Sequence, residues 1–235
     1  MQLMKFEKFV VKEIAHESEG IRTFVLAKEN GAIPAYVSGH FFLLRLADEN
    51  GKPVQRSYSA ASHPSEPRLS FCIKLKGIFT NLLWKLKEGD SIEVDGPYGV
   101  FLLRAEDTER VFIGGGVGIS ALRSQILQTI KEGKPCFLFH SAKTLEGLTY
   151  HSEMEKLAAA HSNFKAHFSL TGETLPDGWK GMKGRVNVAV LKEKLGSLSE
   201  KTFYLCGSKE MAAEISNALI GEGVPKDRIK KDDWV

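Results

Sequence analysis

A run of glycines at Gly114–Gly118 constrains the fold of this 235-residue chain more than any other segment. The apolar residues before it, Val111–Ile113, predict a buried strand, and Ile119–Ile130 has the spacing of an amphipathic helix. A strand, a glycine turn and a helix in this order form the context that a dinucleotide-binding fingerprint requires, and Gly116–Ala121 fits the form Gly-x-Gly-x-x-Ala. A plain tight turn between a strand and a helix is the alternative.

The pattern of the chain changes around this segment. Up to about residue 100, short apolar runs alternate with turns rich in Gly, Pro and Asn, which is typical of an antiparallel β-barrel. These runs are Phe6–Ile14, Ile21–Ala27, Phe41–Leu46 and Leu69–Leu75. Beyond it, strands (Cys136–Phe139, Phe203–Cys206) alternate with helices (Met211–Leu219), which is typical of a Rossmann-like α/β domain with a parallel sheet. The sequence therefore predicts two domains, residues 1–104 and 105–235, divided in the polar segment Leu103–Glu109.

Charge and cysteine usage exclude several classes of protein. The 32 basic and 29 acidic residues alternate along the chain, so a nucleic-acid-binding surface is not indicated. The three cysteines are far apart and the seven histidines lack metal-ligand spacing, which argues against a disulfide framework, an iron–sulfur cluster or any metal site. Because Lys5, Glu7 and Lys8 interrupt the first apolar residues, we expect no signal peptide and no membrane span, and hence a cytoplasmic protein.

The segment Arg56-Ser57-Tyr58-Ser59 carries side chains suited to a flat, phosphorylated ligand. An arginine can pair with a phosphate, a tyrosine ring can stack on a heteroaromatic ring, and a serine hydroxyl can bond a ring nitrogen. On a strand Arg56 and Tyr58 share one face, so a bend is needed for all of these side chains to meet one ligand. An edge strand with a solvated arginine and a half-buried tyrosine is the alternative.

The segment Gly77-Ile78-Phe79-Thr80 opens a short stretch with helical spacing of apolar residues, Phe79–Leu86. Unpaired N–H groups at the start of a helix attract anions, so this segment suits a pyrophosphate. Thr80 acting only as an N-cap is the alternative, and both can hold together.

Cys206 and Gly207 lie where a buried strand ends at the carboxyl edge of the predicted sheet and a helix begins. Ligands bind at such edges. Most single cysteines at the ends of apolar strands are small core residues, which is the alternative here and our expectation for Cys72 and Cys136.

In chain order, these four segments resemble those of the ferredoxin–NADP reductase superfamily, in which a flavin-binding β-barrel precedes an α/β domain that binds NAD(P). The resemblance implies that Arg56 holds the flavin phosphate, that Tyr58 packs on the isoalloxazine, and that Ser59 lies beside the nitrogen that accepts hydride. The full set of residues that it assigns to the flavin is Arg56, Ser57, Tyr58, Ser59, Ile73, Lys74, Gly77, Ile78, Phe79 and Thr80.

For the nucleotide, the resemblance implies that Cys206 faces the hydride-bearing carbon of nicotinamide and that Gly207 leaves space for the ribose. Trp234 is the candidate for an aromatic lid over the flavin, with a cover for the core as the alternative. Ser59, Cys206 and Trp234 are thus the expected catalytic residues. The set assigned to NAD(P) is Gly115, Gly116, Val117, Gly118, Thr171, Cys206, Gly207 and Trp234.

Two departures from known patterns concern the choice of nucleotide. No acidic residue follows Cys136–Phe139, which disfavours an ordinary NAD-binding Rossmann half and agrees with the reductase superfamily. Plant-type relatives hold the extra phosphate of NADPH with a Ser-Arg pair, where this chain has Thr171-Gly172-Glu173. Loss of that arginine weakens the case for NADPH, but nearby cations leave the choice between NADH and NADPH open. These cations are Lys143, Lys180, Lys183 and Arg185.

The resemblance implies a flavoenzyme that binds FAD rather than FMN, takes hydride from NADH or NADPH, and passes electrons to a separate carrier. A ferredoxin or a flavodoxin is the expected carrier, since the chain has no iron–sulfur domain of its own and a mildly basic surface attracts acidic carriers. The candidate docking residues near the flavin segments are Lys74, Lys76, Lys85 and Lys87, with lysines that only keep this face solvated as the alternative. The alternatives are a free-flavin or ferric-chelate reductase, the reductase component of an oxygenase, and a cofactor-binding subunit without turnover of its own.

Overall fold

The computed structural model describes residues 5–234, with only the backbone of Asp233 and Trp234. The chain divides into two compact units, Met1–Leu102 and Leu103–Val235. The first is built on an antiparallel sheet and the second on a parallel sheet with helices, so the predicted fold class is confirmed.

From residue 5 onward, the first unit contains six strands and one short helix. Its sheet has the order β4-β3-β6-β1-β2-β5. The backbone N–H of Ala61, just after β4, donates to the carbonyl of Ser70 in β5 at 2.8 Å, so the sheet curls until its two edges meet. The elements are β1 (Glu7–Ser18), β2 (Ile21–Lys28), β3 (Phe41–Ala47), β4 (Pro53–Ser59), β5 (Leu69–Lys74), α1 (Ile78–Trp84) and β6 (Ser91–Tyr98).

A core of aromatic and aliphatic side chains fills the inside of this curled sheet. Phe24, Phe42 and Phe71 come from three strands and are completely buried. Helix α1 contributes Phe79 and Leu83, which are also buried. The alternation of inward apolar and outward polar residues along the strands places these side chains on one face, and α1 is held against the sheet by the same burial.

The second unit has a parallel sheet in the order β10-β9-β8-β7-β11-β12. Its elements are β7 (Arg110–Gly115), α2 (Ile119–Lys131), β8 (Cys136–Ala142), α3 (His151–Ala160), β9 (Phe164–Leu170), β10 (Met182–Lys183), α4 (Val188–Leu195), β11 (Thr202–Ser208), α5 (Lys209–Gly221) and β12 (Ile229–Trp234). Short 3₁₀ turns lie at Gly116–Gly118 and Lys226–Arg228. Of the helices in the described part of the chain, none is both long and apolar enough to cross a bilayer.

The order of the strands creates a switch point beside β7. The chain continues from β7 to β8 on one side of it, whereas β11 lies on its other side. Connections that leave neighbouring strands in opposite directions open a crevice at the carboxyl ends of those strands, where α/β proteins bind ligands. Gly114 of β7 and Cys206 of β11 are paired in register at this end of the sheet.

A buried polar cluster fixes the start of the second unit at the opposite end of the sheet. The side chain of Asp107 has no exposed surface and accepts hydrogen bonds from the Tyr204 hydroxyl at 2.5 Å and the Thr202 hydroxyl at 2.7 Å. Arg104 donates to the same carboxylate at 3.3 Å, and the buried guanidinium of Arg110 donates to the Arg104 carbonyl at 2.7 Å. Buried hydrogen bonds and ion pairs of this kind hold the polar segment before β7 against β11.

Candidate functional site

Strand β4 is the first strand in the order of its sheet, and it carries the predicted flavin residues 56–59. Its described ladder partner is β3, with Tyr58 opposite Phe42. Arg56 and Ser57 are exposed, Tyr58 is half-buried and Ser59 is buried. The Arg56 guanidinium donates to the Gln55 carbonyl at 2.7 Å. An exposed arginine beside a half-buried tyrosine is what both the ligand-binding interpretation and the plain edge strand require.

Tyr58 brings the first two predicted segments together. Its ring lies 5.9 Å from the ring of Phe79 in α1, at an interplanar angle of 31°. Burial raises the pKa of the Tyr58 phenol to about 12, so the ring is neutral at physiological pH. The segments 56–59 and 77–80 therefore form one surface within the first unit.

The structure changes the interpretation of Thr80. Helix α1 begins at Ile78, with Gly77 before it at a φ of +87° and without a side-chain cap, so the alternative in which Thr80 acts as the N-cap does not hold. Thr80 is the third helical residue and is buried, and its hydroxyl donates to the Gly77 carbonyl at 3.0 Å. The same oxygen accepts from the Lys76 backbone N–H at 2.7 Å, which ties the turn to the helix.

Two further residues assigned to the flavin have different environments. Ile73 is buried in the core of the first unit and pairs with Arg22 in the ladder between β5 and β2. Lys74, the last residue of β5, is exposed, and so is Ile78 at the start of α1, at 72%.

The third and fourth predicted segments meet in the second unit. A Cβ placed on Gly118 would lie 2.3 Å from the carbonyl oxygen of Cys206 and 3.0 Å from Cα of Gly207. A Cβ on Gly115 or on Gly207 would lie 2.7 or 2.6 Å from atoms of Met211 in α5. Gly118 is therefore required for the close approach of the glycine loop to the end of β11, whereas the flexible end of Met211 could shift to accept a Cβ on Gly115 or Gly207.

Cys206 and Cys136 are completely buried, and Cys72 has an exposed fraction of only 2%. The backbone of Cys206 contacts the glycine loop, whereas its side chain belongs to the interior of the unit. Thr171, one residue after β9, is exposed, and its hydroxyl donates to the Ala142 carbonyl at 3.2 Å. The backbone of Trp234 pairs with Ser208, but its side chain, and with it the predicted lid, lies outside the described residues.

Sequence reasoning missed His140, which lies at the centre of this edge of the sheet. It is paired in register with Gly114, is completely buried, and its Nε2 lies 2.9 Å from the carbonyl oxygen of Gly116. The signal that could have identified His140 is its position: it is a polar residue directly after Cys136–Phe139, the apolar strand that follows the glycine fingerprint.

Both glycine segments fit a phosphorylated cofactor. A Cβ on Gly77 or on Gly116 would meet no atom within 4 Å, so space is open at each turn. Helix α1 has no side-chain cap at its first residues, which leaves backbone N–H groups to a ligand, and the partly exposed residues 115–117 provide the backbone for this in the second unit. The exposed guanidinium of Arg56 adds a cation in the first unit. Among residues 5–232, no group of three or more His, Cys, Asp or Glu side chains is arranged to bind a metal.

Comparison with known proteins agrees with this arrangement in both units. Residues 8–102 match the family described as an oxidoreductase FAD-binding domain. Residues 112–217 match the family described as an oxidoreductase NAD-binding domain. Each match covers most of one unit, so the cofactors expected from the sequence are confirmed at this level.

One subunit of the Na(+)-translocating NADH-quinone reductase of Klebsiella pneumoniae is 30% identical over 212 residues, which are 83% of this chain and 52% of the relative. The same subunit of the Yersinia enterocolitica enzyme is 29% identical over the same shares of the two chains. The chain thus spans about half the length of the curated relatives that it matches.

Among solved structures, the ferredoxin reductase in carbazole 1,9a-dioxygenase is similar with a TM-score of 0.83 and 25% identity, over 99% of this chain and 70% of that one. The FAD/NAD-binding domain of nitric oxide dioxygenase from Vibrio cholerae has a TM-score of 0.86 and 23% identity. The match covers 97% of this chain and 98% of that one, and it shows that the two share a fold. With an FAD-binding unit followed by an NAD-binding unit, this chain belongs to the ferredoxin–NADP reductase superfamily of oxidoreductases.

Proposed function

We propose that the protein oxidises NADH with the help of bound FAD and delivers the electrons to a separate acceptor. The observation that carries this proposal is that the four sequence segments converge in pairs. Segments 56–59 and 77–80 meet through Tyr58 and Phe79, and segments 114–118 and 206–207 meet through Gly118 and Cys206. Flavin, when bound, supplies the chemistry that nicotinamide lacks, since it takes up two electrons together and releases them one at a time.

In the first unit, Arg56 and the N–H groups at the start of α1 bind the flavin phosphates. Tyr58 supplies an apolar face, because its ring is half-buried against Phe79 and its phenol stays neutral. The hydroxyl of Ser59 donates a hydrogen bond near the reacting edge of the flavin. Because Ser59 is buried at the end of β4, its position is fixed by the sheet and not by a mobile loop.

In the second unit, the loop Gly114–Gly118 and the end of β11 bind the nicotinamide nucleotide. The glycines allow the backbone to approach the ligand, and Gly116 leaves open space at the turn. At Gly207 the nearest atoms belong to the flexible end of the Met211 side chain, which would move aside for the ribose. Cys206 acts as a positioning residue at the carboxyl end of β11, where its backbone sets the distance to Gly118.

The preference for NADH over NADPH is supported by the backbone at Gly172. This is the position where plant-type relatives carry the arginine that holds the additional phosphate. A Cβ on Gly172 would lie 2.5 Å from the carbonyl oxygen of Lys143, so the backbone as it is folded does not accept an arginine here. Arg185, one of the alternative cations, lies 3.8 Å from Glu214 in a surface ion pair. Titration with the two nucleotides in turn tests the preference, and tighter binding of NADPH would contradict it.

For the acceptor we propose an acidic carrier protein of the ferredoxin or flavodoxin class. Lys74, Lys76 and Lys87 are exposed around α1, whereas Lys85 is paired with Glu49 at 3.0 Å. Clustered exposed lysines accelerate the encounter with an acidic partner, and salt weakens that effect.

The test compares the rates of NADH oxidation with ferredoxin, flavodoxin, free FMN and ferric citrate, each at low and high salt. We expect the highest rate with a carrier protein and a steep fall with salt. Lys76→Glu combined with Lys87→Glu should raise the KM for the carrier, whereas the control Lys156→Glu, exposed on α3, should not. A higher rate with free FMN or ferric citrate than with either carrier protein would refute a carrier protein as the acceptor. Turnover with none of the four acceptors would indicate a cofactor-binding subunit without catalytic activity of its own.

A further inference from the structure

The contact between His140 and the glycine loop has a consequence for nucleotide binding. His140 has no exposed surface, and its Nε2 lies 2.9 Å from the carbonyl oxygen of Gly116. A carbonyl oxygen can only accept, so Nε2 must carry the hydrogen. The other ring nitrogen, Nδ1, has no hydrogen-bond partner among the described residues.

The ring is therefore held as one neutral tautomer. Burial lowers the pKa of His140 to about 4, since a charged imidazole would be desolvated here. Protonation would also place a second N–H, on Nδ1, in the interior without an acceptor, which is costly. At physiological pH the imidazole is a fixed donor of one hydrogen bond, aimed at the loop.

This bond determines how one peptide group of the loop is oriented. A trans peptide is planar, with its C=O and N–H pointing in opposite directions. Because the carbonyl of Gly116 points at His140, the N–H of Val117 points away from the buried ring. Gly116 has a φ of +52°, and residues 115–117 are partly exposed, so this N–H lies in the accessible part of the loop.

We propose that His140 is a positioning residue that turns the Val117 N–H toward the diphosphate of the nicotinamide nucleotide. The inference rests on the proposed function of the second unit. Gly116, on the N-terminal side of this peptide, reaches backbone angles that other residues avoid and so permits a flip, and a flipped Gly116–Val117 peptide would present its carbonyl oxygen to an anion. His140 prevents this flip by retaining the carbonyl in the interior. It does not touch the reacting atoms.

Two variants of one residue separate the donor from the packing. His140→Gln retains an N–H donor at about the reach of Nε2, whereas His140→Leu fills the space without a donor. Binding of NAD+ and of ADP-ribose, which share the diphosphate, is measured by calorimetry, together with FAD content and the thermal midpoint. We expect His140→Leu to weaken both ligands by about tenfold or more, because an N–H to a charged group contributes this much. His140→Gln should bind both within about threefold of wild type, since the donor is retained.

Wild-type affinity in a folded His140→Leu protein would overturn the inference, and so would equal losses in both variants at unchanged thermal midpoint. Failure of the wild-type protein itself to bind NAD+ would instead refute the proposed function. If His140→Leu does not fold, ¹⁵N NMR of the wild-type protein gives the answer. We expect the Nε2–H tautomer of His140 and a large shift of the Val117 amide on addition of NAD+, and an Nδ1–H tautomer would contradict the proposal.

Discussion

Replacing Gly118 by alanine tests the contact between the glycine loop and β11 directly. The new Cβ would lie 2.3 Å from the oxygen and 2.7 Å from the carbon of the Cys206 carbonyl. Carbon atoms in favourable contact lie about 3.5–4.0 Å apart, so the loop and the end of β11 must separate by about 1 Å. The φ of Gly118 is −59°, which alanine adopts readily, so any effect comes from this contact alone.

Forcing an additional methyl group into packed backbone costs about 1–3 kcal/mol, and we expect the free energy of unfolding to fall by this amount. A shift of about 1 Å in a binding loop can reduce the rate of a bound reaction by about a hundredfold. Urea unfolding measures the first effect, and stopped-flow reduction of the flavin by NADH measures the second. FAD content should not change, because the substitution lies in the second unit.

Gly221→Ala is the matched control. Gly221 ends α5, and a Cβ there would meet no atom within 4 Å. Alanine should raise the free energy of unfolding by up to about 1 kcal/mol through its better helix propensity, with unchanged kinetics. Wild-type stability and wild-type flavin reduction in Gly118→Ala would refute the close approach on which the nucleotide site depends.

Three further predictions concern both units. Arg56→Ala should weaken FAD retention by about tenfold or more, because a charge-assisted pair with a phosphate is lost, and full flavin occupancy after dialysis would count against this role. Ser59→Ala should retain FAD but slow its reduction by NADH, and unchanged stopped-flow traces would exclude Ser59 from the reaction. Burial raises the pKa of Asp107, but bonds from Tyr204 and Thr202 and the charge of Arg104 outweigh it, so the pKa lies below its usual value. The stabilisation from this carboxylate is complete above its unfolded pKa of about 3.9 and is lost as pH falls through the lower folded pKa. The difference in unfolding free energy between wild type and Asp107→Asn should therefore shrink as the protein is acidified, and a constant difference in urea titrations would contradict this.

Local patterns in the sequence predict much of this fold. Apolar runs predict β1, β2, β3 and β5, and helical spacing predicts α2 almost to its last residue, since both patterns reflect burial on one side. The change from barrel to α/β pattern predicts the two-domain fold. These features depend on neighbours in the chain, which the sequence gives directly.

Features that depend on strand order could not be predicted in the same way. The contact of His140 with Gly116 requires β8 to lie beside β7 in a register that pairs His140 with Gly114. Asp107 belongs to a segment that is polar enough for an exposed linker, yet it is buried because Tyr204, almost a hundred residues later, supplies its hydrogen bond. An N-cap at Thr80 is the alternative that the sequence offers for this segment, but the N-cap position is Gly77, three residues earlier, where the chain has a positive φ.

The central claim is that one chain binds FAD in its first unit and a nicotinamide nucleotide in its second, and uses them together. Anaerobic addition of NADH to the purified, FAD-loaded protein, followed by visible absorbance, tests it most directly. We predict a yellow protein with one FAD per chain whose absorbance bleaches on addition of about one equivalent of NADH, as a two-electron transfer requires. A colourless protein that takes up no FAD, or a yellow one that NADH and NADPH both fail to bleach, would contradict the account.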